Sequence, residues 1–179
     1  MESNDRELVI RAQSGDRTAF DQLVKFNKDK MFALTYRMTG DRETALDLVQ
    51  DTFMAAFREL QSFRAEADFS SWLYRIASNK TLNFLKRRKI MSFIPLGGKN
   101  MPEPAYEMPD SITASEMNRR LTKAVAALPP KQKLIFNLRF FEQLPFGEIA
   151  QILKKGESTV KTNYQKAVEK LRESLKDLR

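Results

Sequence analysis

The fold class predicted from the sequence is all-α, two small helical domains joined by a flexible Pro/Gly-containing connector, and three observations predict it. Apolar residues recur at helical spacing in both halves, and strand-like alternation is nowhere sustained. Glycines suited to ending a helix stand directly before aspartates suited to starting one, at Gly15-Asp16 and Gly40-Asp41. Four of the seven prolines and two of the six glycines fall within SFIPLGGKNMPEPAYEMPDSI, a stretch without regular structure. The expected organisation is a helical bundle over residues 1–91, a linker over 92–112 and a second helical domain over 113–179.

Taken in order, the elements follow from apolar stripes and their breaks. Phe20, Leu23, Val24, Met31, Leu34 and Met38 form one stripe between the two Gly-Asp breaks. After Asp41 come Ala45, Leu48, Val49, Phe53, Ala56, Phe57 and Leu60. A short polar loop around Arg64 to Asp68 leads to a helix of about 20 residues that holds FSSWLYRIASNKTLNFLKRRK. Past the linker, a helix of about 12 residues ending at Leu128 meets Pro129 and Pro130, and the next carries Leu134, Ile135, Leu138 and Phe141 on one side. Pro145 suits the first turn of a short helix, Gly156 marks a tight turn, and Ser158 is expected to cap the last helix. That helix is expected to bury Val160, Tyr164, Ala167, Val168, Leu171 and Leu178, and Ala150 is the small residue where it crosses its neighbour. The order of short helix, glycine turn and long basic helix resembles a helix-turn-helix.

Composition removes most chemistry. With no cysteine and no histidine there is no disulfide, no thiolate nucleophile, no Cys/His zinc site and no Ser-His or Cys-His dyad. No cluster of acids suggests a carboxylate metal site, so neither catalysis nor a cofactor is expected. The apolar runs fall far short of the roughly 18 residues that cross a bilayer, and MESNDRELVI is not signal-like, so the chain is expected to stay where it is made.

The net charge of +8 is unevenly placed. Residues 1–92 hold 16 basic and 13 acidic groups, 93–118 hold 1 and 4, and 119–179 hold 14 and 6. Two basic blocks flank an acidic connector, which suits a polyanion contacting both ends, although ordinary solubilising charge gives the same totals.

Within residues 69–89 there are six lysines or arginines, four aromatic residues, two asparagines and no acid. On a helical projection Trp72, Arg75, Asn79, Asn83 and Lys86 share one face, and Leu73, Ile76, Ala77 and Phe84 the other. The mixed aromatic, cationic and amide face is expected to be left outward. Duplex DNA hides its base faces whereas single strands offer them, each stacked base being worth about 1–3 kcal/mol. A lone Trp is more often core than contact, and the face as a whole carries this expectation. In the tail, Ser158, Lys161, Thr162, Gln165, Lys166 and Glu169 lie opposite the apolar side, polar and cationic groups suited to base edges and phosphates in a major groove. The plainer reading is a basic amphipathic helix that solvates a small bundle.

Three segments, DLVQDTFMAAFREL, FSSWLYRIASN and LPPKQKLIFNLRFFEQLPFGEIAQIL with STVKT, together resemble bacterial sigma factors of the small two-domain, extracytoplasmic-function (ECF) type. The resemblance covers nearly the whole chain except the linker. It implies that Asp47, Gln50, Asp51, Phe53 and Phe57 dock on the clamp coiled coil of the RNA polymerase largest subunit. It implies that Phe63, Arg64, Phe69 and Ser71, with Trp72, Arg75, Asn79 and Asn83, recognise and melt the minus-ten promoter element and hold a flipped non-template base beside the loop. Lys80 and the cluster Lys86, Arg87, Arg88 and Lys89 would follow the phosphates. Residues from Lys131 to Phe141 would meet the polymerase flap, and Ser158, Thr159, Lys161, Thr162, Gln165 and Lys166 would read the minus-thirty-five duplex. The linker would thread the polymerase channel, its acidic balance imitating nucleic acid.

The resemblance further implies a cytoplasmic protein without cofactor, small-molecule substrate or membrane insertion, with an anti-sigma factor as a partner, commonly one anchored at the inner membrane face. Glu157-Ser158 stands where the family usually has Gly before its Thr-Val, and arginines expected further along are absent, which implies fewer phosphate contacts. Two other classes fit parts of the chain. A duplex-binding helix-turn-helix regulator explains the tail and leaves the acid-free aromatic helix unexplained. A helical adaptor without DNA conflicts with the basic C-terminal block.

Overall fold

A computed structural model describes residues 2–64, 68–92 and 116–176. Helix α1 (Glu2–Gln13) ends at Gly15, whose φ of 97° only a residue without Cβ adopts freely, and α2 (Arg17–Thr39) begins at once. Asp16 makes the change of direction. Its Oδ1 accepts from the Thr18 and Ala19 N–H groups at 2.9 and 3.2 Å, and Arg11 closes on Oδ2 at 2.7 Å. The Thr18 hydroxyl first, and then Arg11, hold this carboxyl at about 2, well below the ordinary range.

Gly40, at φ 71°, ends α2 in the same way, and Asp41 caps α3 (Arg42–Glu59) by accepting from Thr44 N–H at 2.7 Å. A single 3₁₀ turn, Leu60–Ser62, brings the chain to Phe63. Then comes α4 (Phe69–Ser92), the long helix expected from the 69–89 stretch. Most of the expected stripe residues are buried, with Leu23, Met31, Leu34, Ala45, Ala56, Leu73 and Ala77 wholly enclosed, whereas Phe57, expected beside them, stands outward.

The second half runs α5 (Glu116–Ala126), α6 (Pro130–Phe140), α7 (Phe146–Leu153) and α8 (Glu157–Ser174). The tight turn expected at Gly156 joins α7 to α8: the left-handed residue after α7 is Lys154, at φ 51°, and Gly156, at an ordinary φ of −66°, serves as the N-cap of α8. One expectation about this turn needs correction. Ser158 therefore sits inside the helix rather than capping it, and no side chain caps that end. The spacing predicts Phe141 on the buried side of α6, but it is partly exposed and Phe136 takes the interior place, stacked on Tyr164 at 6.0 Å. Val160, Ala167 and Leu171 are buried in α8 as expected and Tyr164 and Val168 are partly buried, whereas Leu178 lies outside the described residues, as does the linker from 93 onward.

Burial does not respect the two halves. One apolar cluster joins Leu34, Met38, Leu73 and Ile76 of α2 and α4 to Leu134, Leu138, Ile149 and Ile152 of α6 and α7, and a smaller one joins α5, α6 and α8 around Phe136. The domains thus pack through a continuous apolar seam. No described helix is long and apolar enough to cross a membrane.

Candidate functional site

Two surfaces and one seam carry the residues singled out by the sequence. The first surface lies between α2 and α3, where Phe20, Val24, Gln50, Phe53, Met54, Phe57 and Arg58 line an open, largely apolar groove of about 580 Å³. Phe57 meets Phe20 edge to face at 5.1 Å yet leaves 53% of its surface to solvent, and Met54 is similarly open. Asp47, Gln50 and Asp51 are exposed on the same helix, while Phe53 forms the floor. Large apolar side chains held outward by a rigid helix pair, with a polar rim, are what a protein partner grips. Phe20, Val24, Met54 and Arg58 belong to this groove although the sequence gives them no such role; Phe20 and Val24 read there as part of a core stripe.

The second surface is α8. Ser158, Thr159, Lys161, Thr162, Gln165 and Lys166 are all exposed, opposite the buried Val160, Ala167 and Leu171. Lys161 pairs with Glu157 at 2.6 Å, an exposed ion pair that a phosphate can displace at little cost.

Helix α4 divides along its length. Beyond its second turn Asn79, Asn83 and Lys86 face solvent as the projection anticipates, as does Arg87, while Arg75, expected outward with them, and Lys80 are half-buried. Its first turns differ. Trp72 is only 6% exposed, and its ring lies 4.8 Å from that of Phe63 and 5.6 Å from that of Phe69, which is also buried. The outward aromatic platform expected here is an inward aromatic cluster, at whose edge Phe63 is half-buried and Arg64 exposed. Periodicity places Trp72 on the face of Asn79 but cannot show that the chain before and after the loop wraps over the start of the helix. Residues 65–67 of that loop lie outside the described residues.

Ser71 is buried too, and its covering comes from the other domain: its hydroxyl donates to Glu148 of α7. Beside it the Tyr74 hydroxyl donates at 2.5 Å to Glu142, which also forms an ion pair with Arg37 of α2. Burial first, and then the Glu142 carboxylate, push the Tyr74 hydroxyl far above its ordinary value, so it stays a donor. Arg37 lies against the Phe141 ring at 4.5 Å. Lys133 enters the seam from α6, donating to the Met38 carbonyl at 3.3 Å, and burial lowers its amine to about 8. The Asn137 side-chain carbonyl is buried there without a protein partner. A seam that holds a desolvated amine and an unsatisfied carbonyl is less tightly determined than an apolar core. Arg37, Tyr74, Glu142 and Glu148 carry no mark in the sequence, since pairs 68 to 105 positions apart leave no local signal.

Comparison with known proteins follows the same division. Residues 23–90 match the family Sigma-70 region 2, and residues 118–171 match Sigma-70, region 4. The chain is 30% identical to the ECF RNA polymerase sigma factor SigW of Bacillus subtilis over 99% of its own length and all of that protein, and 30% identical to the RNA polymerase sigma-H factor of Pseudomonas aeruginosa over 99% and 96%. Among solved structures it is similar to CnrH in complex with the cytosolic domain of CnrY, at TM-score 0.71 and 26% identity over 97% of this chain and 98% of that one. The fold is shared as well with the sigma factor RpoE bound to the anti-sigma factor NepR from Bartonella quintana, at TM-score 0.72 and 22% identity over 89% and 98%. With both sigma-70 regions present in order, and a relative matched from end to end, the chain belongs to the ECF family of RNA polymerase sigma factors.

Proposed function

We propose that the chain binds core RNA polymerase and directs it to promoters, reading the minus-thirty-five duplex with α8 and melting the minus-ten element with the loop before α4 and the outer side of that helix. The observation that carries this is the exposure of all six predicted α8 readers on a helix anchored by three buried residues. The groove of Gln50, Phe53 and Phe57 takes the clamp coiled coil of the polymerase, with Asp47 and Asp51 at its rim, and α6 with Phe140 and Phe141 outward meets the flap. Asn79, Asn83, Lys80, Lys86 and Arg87 follow the separated strand beside Arg75, and Phe63, Arg64, Phe69, Ser71 and Trp72 shape the pocket for an extruded base. The working units are residues 1–91 and 113–179, with 92–112 as the connector. The protein acts in the cytoplasm as an initiation factor, not as a catalyst, and an anti-sigma factor is its natural inhibitor.

Geometry adds a requirement. The two promoter elements are roughly 25 base pairs apart, about 85 Å at 3.4 Å per pair. A packed chain of this length has a radius of gyration of about 16 Å. Both elements cannot be held while the seam is closed. A connector of 21 residues extends to at most about 75 Å, which with the width of the domains spans the distance. Promoter engagement therefore requires separation of the halves.

The test is initiation by core polymerase with and without the chain on a library of promoters. Transcripts that start at a common set of promoters only when the chain is present support the function. Duplex binding by the chain with no dependence of initiation upon it would indicate a stand-alone regulator instead.

A further inference from the structure

The side-chain contacts that close the seam are one-sided. Arg37 of α2 and the Ser71 and Tyr74 hydroxyls of α4 are the donors, and the carboxylates of Glu142, just past α6, and Glu148, on α7, are the acceptors. The charged groups acting on the Tyr74 hydroxyl divide in the same way, Glu142 and Glu148 from one half and Arg37 from the other. Lys133 runs in the opposite direction, but to a main-chain carbonyl, that of Met38. Residues 119–179 hold only 6 acids against 14 basic groups, and two of those few carboxylates sit on donors of the other half.

Parting the halves therefore uncovers a set of anion-binding donors on the N-terminal half. Ser71 and Tyr74 are one helical turn apart and share a side of α4, and each is placed by packing, at 7% and 3% exposure. Tyr74 and Arg37 converge closely enough to serve a single carboxylate, that of Glu142. A guanidinium beside hydroxyls grips a carboxylate and a phosphodiester with the same N–H and O–H groups. Residues 69–89 hold no acid, so no charge in that stretch of α4 opposes an anion there.

We propose that Arg37 and Tyr74, with Ser71 beside them, bind a backbone phosphate of the separated minus-ten strand, and that Glu142 and Glu148 occupy this site in the closed form as stand-ins for it. This rests on the reading that the halves part on the promoter and that α4 follows the separated strand. Closure and strand binding then exclude each other, because one set of donors serves both.

The test uses holoenzyme and a fluorescein-labelled single strand carrying the minus-ten non-template sequence of a promoter found active in the initiation assay, with binding read by anisotropy over a range of salt. Arg37→Gln lowers affinity about tenfold, as loss of a hydrogen bond between charged groups implies, and lowers the logarithmic salt slope by about 0.7, the share of one phosphate on a single strand. Arg37→Lys keeps the slope. Tyr74→Phe, which removes only the hydroxyl, weakens binding severalfold. With uncharged methylphosphonate linkages through the minus-ten element, the strand no longer distinguishes Arg37→Gln from the parent. Equal or tighter binding by Arg37→Gln with an unchanged slope overturns the proposal, since Arg37 would then serve the seam alone. So does a loss that the methylphosphonate strand repeats in full, or one that a matching loss of polymerase affinity accounts for. Lys86→Ala with Arg87→Ala, run in parallel, separates the two levels: a lower slope there with an unchanged slope in Arg37→Gln defeats this phosphate site alone, and unchanged slopes in both defeat the course of the strand along α4 as well.

Discussion

Replacing Glu142 with alanine should open the molecule without unfolding it. The carboxylate is 10% exposed and serves two groups at once, the Arg37 guanidinium, 22% exposed, and the Tyr74 hydroxyl. Removing one partner of a buried ion pair costs about 3–5 kcal/mol, and the partial exposure of Arg37 places this case near the lower end. About 3 kcal/mol moves the closed-to-open ratio by roughly two powers of ten. Since a connector joins the halves, the cost is relieved by separation, which returns Arg37 and Tyr74 to water. The chain has no cysteine, so Lys28→Cys on α2 and Lys170→Cys on α8 give a unique dye pair for energy transfer. Transfer should fall in Glu142→Ala and fall less in Glu142→Gln, whose amide oxygen still accepts from Tyr74. Unchanged transfer, with the loss seen only as a lower melting temperature, would refute the assignment of Glu142 to the seam.

The same dye pair tests Lys133, whose amine burial lowers from 10.5 to about 8. The closed form disfavours the charged amine, so closure is opposed below pH 8 and that opposition fades as pH rises toward 10.5, a change of about 3 kcal/mol; transfer should increase over that range, and Lys133→Met should abolish the increase by closing the seam at every pH. Phe57→Ala should weaken core polymerase binding about 10- to 100-fold in surface plasmon resonance, with little change in melting temperature because the ring is more than half exposed; equal affinity would remove the groove from the docking surface. Changing Lys161 and Lys166 together to alanine should lower the salt dependence of minus-thirty-five duplex binding by roughly two units of logarithmic slope, one for each phosphate that is no longer neutralised, and an unaltered slope would take α8 off the phosphates.

Elements with local causes are legible in the sequence. The Gly-Asp pairs at 15–16 and 40–41 end and begin helices because glycine accepts positive φ and aspartate accepts helix N–H groups, both short-range effects. The α8 face is legible for the same reason: periodicity fixes which residues share a side, and Val160, Ala167 and Leu171 settle which side is inward. What escapes is long-range. The projection of α4 by itself turns Trp72 outward, whereas Phe63 arrives from the preceding turn to cover it. Ser71 is enclosed by Glu148, 77 positions later, a pairing that no spacing rule encodes. Gly156 marks the turn between α7 and α8, but the residue there that takes left-handed backbone is Lys154, since a glycine signals that a turn exists more reliably than which residue bears its strain.

The unbroken cluster from Leu73 and Ile76 through Leu138 and Ile149 has a calorimetric consequence. Shut, the protein should melt in one cooperative step, each domain lending heat capacity to the other. Wedged apart, it should show two transitions, both at lower temperature, because Leu73 and Ile76 on one side and Leu138 and Ile149 on the other would then face water instead of their neighbour. Thermal scans of this sigma factor consequently report its shape as well as its strength.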